Sequence, residues 1–194
     1  MRRRRRHRMT TADKPPVGPR PSVSDPRRRL LEAVLEFVRD ARKLSGVHRI
    51  ALMGSLATDK PVPKDADVLV VIDDEVDFET LARLGRRLKG AGQRINLGAD
   101  IFLADSRAHY LGRICHYREC FPRMACEARH CGRRQHLNDD LHLVNLSALQ
   151  VVETPVDLVP TIVRRCPVPD DVEALLLAPL ESRKNTGTDG PDLD

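Results

Sequence analysis

The chain has 194 residues, 41% of them hydrophobic but only 3% aromatic and none of them Trp, which suits one domain with extensions and a core of Leu, Val, Ile and Ala. Its formal charge of +5 sits at the N-terminus: removing the six arginines at 2–6 and 8 from the 33 Lys and Arg leaves 27 against 28 acidic residues, so the rest of the chain lacks the basic balance of a general nucleic-acid binder. No apolar run reaches the ~18 residues of a membrane helix, and no apolar stretch of signal-peptide type follows the arginines, which points to a cytoplasmic protein without a membrane partner.

Residues 1–26 read as an unstructured basic and Pro-rich arm, with an Arg block, five prolines from Pro15 to Pro26 and almost nothing apolar. Met9 offers a second possible start. The spacing predicts a first helix over 27–45, because Leu30, Leu31, Val34, Leu35, Val38, Ala41 and Leu44 recur at three- and four-residue steps. Asp25 is its expected cap, Pro26 its first turn and Gly46 its stop.

Two short apolar runs follow, Ile50 to Met53 and Val68 to Ile72, each with the length and bounding turns of a buried strand. Gly54-Ser55 ends the first, and Asp65-Ala66-Asp67 opens the second. Side chains alternate across a strand, so Asp65 and Asp67 share a face about 6.5 Å apart along it, with Val68, Val70 and Ile72 opposite. Two neighbouring carboxylates repel, and a hard divalent cation such as Mg²⁺ relieves the repulsion by taking their oxygens together with substrate phosphates. Gly54 lets a phosphate approach the backbone, and Ser55 adds a hydroxyl and N–H groups at a strand-to-helix turn. Taken singly, each piece is an ordinary turn or solvated strand end; the ordered combination is much less common.

A second amphipathic helix is expected from 77 to 89, with Phe78, Leu81, Leu84 and Leu88 inward and Gly90-Ala91-Gly92 as its stop. A third strand follows over 95–103, in which Asp100 is the only charge. A lone acid among apolar neighbours is costly unless paired, hydrogen-bonded to the backbone or bound to metal. The acidic run Asp73-Asp74-Glu75 and Asp105 read as turns.

At these residues the sequence resembles the nucleotidyltransferase domain of the DNA polymerase β superfamily, in particular its small prokaryotic minimal members. The shared elements are Gly54-Ser55, then Asp65-Ala66-Asp67-Val68, then Ala99-Asp100-Ile101 on a later strand. Lys64 stands where members often carry Ser, and the spacer holds Pro61 and Pro63. The resemblance covers roughly residues 28–105 and implies an α/β fold: a small mixed β-sheet with helices mainly on one face, the core at 27–105. It implies transfer of a nucleoside monophosphate from Mg-NTP, with ATP the expected donor, to a hydroxyl of an unidentified acceptor (small molecule, protein or RNA). Asp65 and Asp67 would hold two Mg²⁺ ions, Asp100 the one nearest the acceptor, and Gly54 and Ser55 the β- and γ-phosphates. The alternative is a non-catalytic, antitoxin-like module of the same fold that binds a partner protein.

Residues 106–181 form a Cys/His-rich extension with C-terminal strands and a helix. Cys115, Cys120, Cys126 and Cys131 are spaced C-x4-C-x5-C-x4-C, and five of the seven histidines fall between 109 and 142. Three readings stay open: a structural zinc knuckle, reduced structural cysteines, or disulfides. Arg113, Arg118, Arg123, Arg129, Arg133 and Arg134 are interleaved and are candidates for triphosphate or acceptor binding. Residues 143–165, with Pro155 and Pro160, suggest one or two edge strands. A short helix is expected from Asp170, as cap, through Leu177, and residues 182–194 read as a disordered tail.

Overall fold

The computed structural model describes residues 25–117, 134–139 and 141–182. Helix α1 (Asp25–Ala41) leads into β1 (Val47–Met53), a single 3₁₀ turn at Gly54–Ala57, and β2 (Asp65–Ile72). Helix α2 (Phe78–Gln93) then crosses to β3 (Gly98–Ala104), followed by β4 (Tyr110–Ile114) and β5 (Leu137–Asn138). The chain continues through α3 (Ala148–Val152), β6 (Val156–Val159) and β7 (Val163–Arg164). It closes with α4 (Asp170–Val172), a π-helical turn at Glu173–Leu177 and α5 (Ala178–Glu181).

The seven strands make one sheet in the order β5-β4-β3-β2-β1-β6-β7. Every neighbouring pair is antiparallel except β2 and β3. A parallel pair needs a crossover, and α2 provides it. The alternation of the central strands divides the core in two. Ile50, Leu52, Val68, Val70, Ile72, Ile101 and Leu103 join α1, α2 and the C-terminal helical segment in the larger cluster. On the opposite face, Ala51, Leu69, Val71 and Ala104 form a smaller cluster with Val151 of α3. The apolar stripe of α1 is buried as its spacing predicts, with Leu30, Leu31, Val34, Val38 and Ala41 all solvent-excluded and Phe37 added.

Several expected boundaries move. Helix α1 begins at Asp25 and ends at Ala41, so Asp25 is its first residue rather than a cap, and 42–44 form a turn. Helix α2 is capped by the Asp77 side chain, which accepts from the Thr80 N–H at 3.0 Å. It runs through Gly90 and Gly92 to Gln93 instead of stopping there. The reason is close packing: a Cβ on Gly92 would stand 3.0 Å from the Gly98 carbonyl oxygen and 3.1 Å from that of Leu97. Residues 94–96 are consequently a turn, with the Ile95 and Leu97 N–H groups both donating to the Gly92 carbonyl at 3.0 Å, and β3 starts only at Gly98.

The segment set apart as a Cys/His-rich extension contributes β4 and β5 to the sheet, with β4 beside β3. Cys115 directly follows β4 and is buried. Cys120, Cys126 and Cys131 lie outside the described residues, as do Arg118, Arg123, Arg129 and Arg133. The 143–165 stretch holds a helix that weak alternation concealed: α3 carries a capping box in which Ser147 and Gln150 bond reciprocally. Of the two strands in this stretch, β6 is internal, between β1 and β7, and β7 is an edge. Asp170 is the first residue of its helix, Pro169 occupies the cap position, and the helical path extends to Glu181. Among the described residues no helix is long and apolar enough to cross a membrane.

Candidate active site

One end of the sheet gathers the C-terminal end of β1 and the N-terminal starts of β2 and β3. Ala66, Val68 and Val70 point into the helix-side core, so the alternation turns Asp65 and Asp67 to the opposite face. Ala99 and Ile101 likewise enter that core, which turns Asp100 to the same face as the other two acids. In the register Asp67 lies directly across from Asp100, Asp65 from Gly98, and Met53 from Asp67 on the other side. All three carboxylates are half-buried.

Gly54 follows Met53 with φ of 64°, a left-handed conformation that suits glycine. A Cβ built there would land on the Asp67 carboxylate, so this position excludes side chains on two counts. Ser55 is the second residue of the short 3₁₀ turn, and its buried hydroxyl has no hydrogen-bond partner among the described residues. A buried polar atom without a partner costs free energy unless something else satisfies it.

The acids crowd one another electrostatically. Burial pushes the Asp67 carboxyl up to about 6, the charges of Asp65 and Asp100 push the same way, and Arg113 opposes them. Asp100 is approached by two cations and a histidine: Arg113 Nη1 stands 3.5 Å from its Oδ2, while Lys89 Nζ at 3.8 Å and His116 Nε2 at 3.9 Å approach its Oδ1. Burial lowers the pKa of Lys89, an effect that Asp100 counters in part and Arg113 reinforces. Among the described residues, no three His, Cys, Asp or Glu side chains are already drawn together closely enough to hold an ion.

Two further residues shape the site. Arg27 of α1 is buried and donates to the carbonyls of Leu56 at 3.2 Å and Lys60 at 3.0 Å, gripping the loop that follows Gly54-Ser55 on both sides. Its charge is met by Asp171 of α4. In the sequence Arg27 is only the first of three arginines at a helix start, and nothing local marks it as buried. Lys89 lies on the polar side of α2 and carries no motif; its role appears only when β3 and β4 are laid beside that helix. Of the arginines singled out in the sequence, Arg113 reaches the acids, whereas Arg134 stacks 4.5 Å over the Phe78 ring. The acidic run at 73–75 is a turn, as expected, with Asp73 accepting from Glu75 N–H at 2.8 Å and bonding His48 at 2.6 Å. Asp105 similarly accepts from the N–H groups of Arg107 and His109.

A family model described as a family of unknown function, DUF6932, matches residues 7–136. That span includes Gly54, Ser55 and all three acids, and stops before β6. No curated protein and no solved structure matches the chain.

Proposed function

We propose that this chain, which belongs to the DUF6932 family, transfers a nucleoside monophosphate from an NTP to an acceptor hydroxyl and releases pyrophosphate. The observation that carries the reading is the sharing of one sheet face by Asp65, Asp67 and Asp100, against a turn whose glycine touches Asp67 and whose serine hydroxyl lacks a partner. The donor set fits Mg²⁺: hard oxygens only, and adjacent carboxylates that destabilise each other when ionised. When bound, two such ions neutralise the triphosphate and favour ionisation of the acceptor hydroxyl.

Asp65 and Asp67 are the residues that would hold both ions, and Asp100 the one on the acceptor side. Asp100 also takes the proton of the acceptor hydroxyl. Gly54 and Ser55 hold the β- and γ-phosphates, with Arg27 fixing the loop behind them. The acceptor oxygen bonds to the α-phosphorus as the bond from that phosphorus to the β-bridging oxygen breaks, and the electron pair leaves with pyrophosphate. Such a transfer needs alignment and charge stabilisation more than covalent catalysis. The test is transfer of label from α-³²P-NTP and Mg²⁺ to acceptors in a cell extract. The wild type should label an acceptor and Asp67→Asn should not. If no NTP gives labelling and Mg-NTP never raises the melting temperature, the reading fails; retained binding without transfer favours the partner-binding alternative.

A further inference from the structure

Three cationic or potentially cationic side chains converge on one acid of the candidate site. Lys89 comes from α2, Arg113 from β4 and His116 from just beyond β4, and all approach the Asp100 carboxylate at 3.5–3.9 Å. These distances are ionic approaches, longer than well-formed hydrogen bonds. Lys89 and His116 are joined more tightly, at 2.7 Å between Nζ and Nε2. Arg86 lines the same small cleft with Lys89, Ile101, Ile114 and His116, and donates to the Tyr117 carbonyl at 3.4 Å. Glu79 acts on the neighbouring His136.

The arrangement holds a conflict. Lys89 and Arg113 are only about a fifth exposed, at 22% and 18%. A divalent ion on Asp100 would compete with both for the same oxygens. Lys89 above all would then keep its charge in a half-buried place with a weakened partner, which is unfavourable. An anion arriving beside them removes the conflict: the carboxylate turns to the ion and the cations turn to the anion.

We propose that Lys89, Arg113 and His116 form an acceptor-side anion site, so that the acceptor is a hydroxyl compound carrying a phosphate group close to the reacting hydroxyl. This rests on the nucleotidyl-transfer reading for the word acceptor, but the anion site stands on its own geometry. Phosphate suits the set because a guanidinium can pair two of its oxygens while an ammonium and an imidazole take others. Polycationic acceptors such as amino sugars are disfavoured by the same charges. A nucleic-acid 3′ end and a small sugar phosphate offer the same chemistry, and binding distinguishes them.

The experiment measures equilibrium binding, without NTP, of a ribotrinucleotide with a free 3′ hydroxyl and of a hexose 1-phosphate. Each is compared with its phosphate-free counterpart, and a polyamino sugar serves as the cationic control. At least one phosphate probe should bind, and its affinity should fall about tenfold in Lys89→Gln and in Arg113→Gln. Lys89→Arg should restore most of it, which separates loss of charge from loss of fold. Arg87→Gln, an exposed cation on the same helix, should change it less than about twofold. Binding of the phosphate-free forms equal to that of the phosphates, equal losses in Arg87→Gln, or preference for the polyamino sugar would each overturn the proposal. A separate reading keeps the two ideas distinct: if Mg-ATP fails to raise the melting temperature while a phosphate probe binds through Lys89 and Arg113, the transfer reading falls and the anion site survives.

Discussion

Replacing Asp67 by Asn should make the metal-free protein more stable at neutral pH, which an ordinary structural aspartate would not do. The Asp67 carboxyl titrates at about 6 instead of 3.8, first because it is buried and then because Asp65 and Asp100 repel its charge. That gap of about two units is worth at most about 3 kcal/mol. Asp67 is half-buried and partly screened, so about 1–2 kcal/mol is the working figure. The sign follows from linkage: the folded-state pKa lies above the unfolded one, so above pH 6 the carboxyl is charged in both states and the full penalty falls on the fold. As pH drops from about 6 to 4 the folded protein takes up the proton first, and the penalty fades to nothing. No side-chain hydrogen bond to Asp67 exists among the described residues, so Asn forfeits none. The assay is thermal unfolding by circular dichroism with chelator present. At pH 7.5 the Asn variant should melt about 3–6 °C above the wild type, and at pH 4 the two should coincide. A variant that is less stable at pH 7.5, or a gap that does not move with pH, refutes the reasoning. Adding Mg²⁺ with NTP should stabilise the wild type by about 2.7 kcal/mol at a hundredfold excess over Kd, enough to reverse the order of the two.

Gly54→Ala should abolish transfer and lower the melting temperature, because the position needs φ of 64° and a Cβ there strikes Asp67; an active Gly54→Ala enzyme would mean that the turn does not set the site. Arg27→Met should cost about 3–5 kcal/mol in a denaturant titration, since it strands the buried Asp171, and Arg27→Met with Asp171→Leu should recover most of the loss. Asp157 offers an opposite pH signature to Asp67. Burial would raise its pKa, but hydrogen bonds from Arg165, Arg49 and Thr154 outweigh that and hold it below the ordinary range, so its stabilisation is full above about pH 4 and is lost below. Asp157→Asn should therefore be destabilised at pH 7 and converge on the wild type in acid. The zinc-knuckle reading of the cysteines requires about one zinc per chain in protein purified without chelator; elemental analysis well below half an equivalent would remove it.

What the sequence made legible is what local patterning controls. The helix stripe of α1, the alternation of β2 and the placement of Asp65 and Asp67 on one face follow from periods of 3.6 and 2, and each is found. The β2–β3 register that sets Asp67 opposite Asp100 is a long-range fact, and spacing alone does not fix it. The same limit hid β4, whose five residues pair with β3 inside a stretch dominated by Cys, His and Arg. It also hid Lys89, which reads as one more solvent-facing cation until α2 packs across the sheet. Gly90-Ala91-Gly92 misleads for a related reason: glycine serves equally to end a helix and to let another chain segment pass close, and the Leu97 and Gly98 carbonyls against Gly92 show the second use. The residues that give this site its character therefore divide by kind. The acids announce themselves, because charge inside an apolar strand is costly and conspicuous. The cations that answer them are less distinct: Lys89 carries no signal, and Arg113 is one of several interleaved arginines until the fold brings it to a carboxylate. The acids can thus be picked out from the sequence, while the cations gathered around Asp100 are brought together only by the tertiary structure.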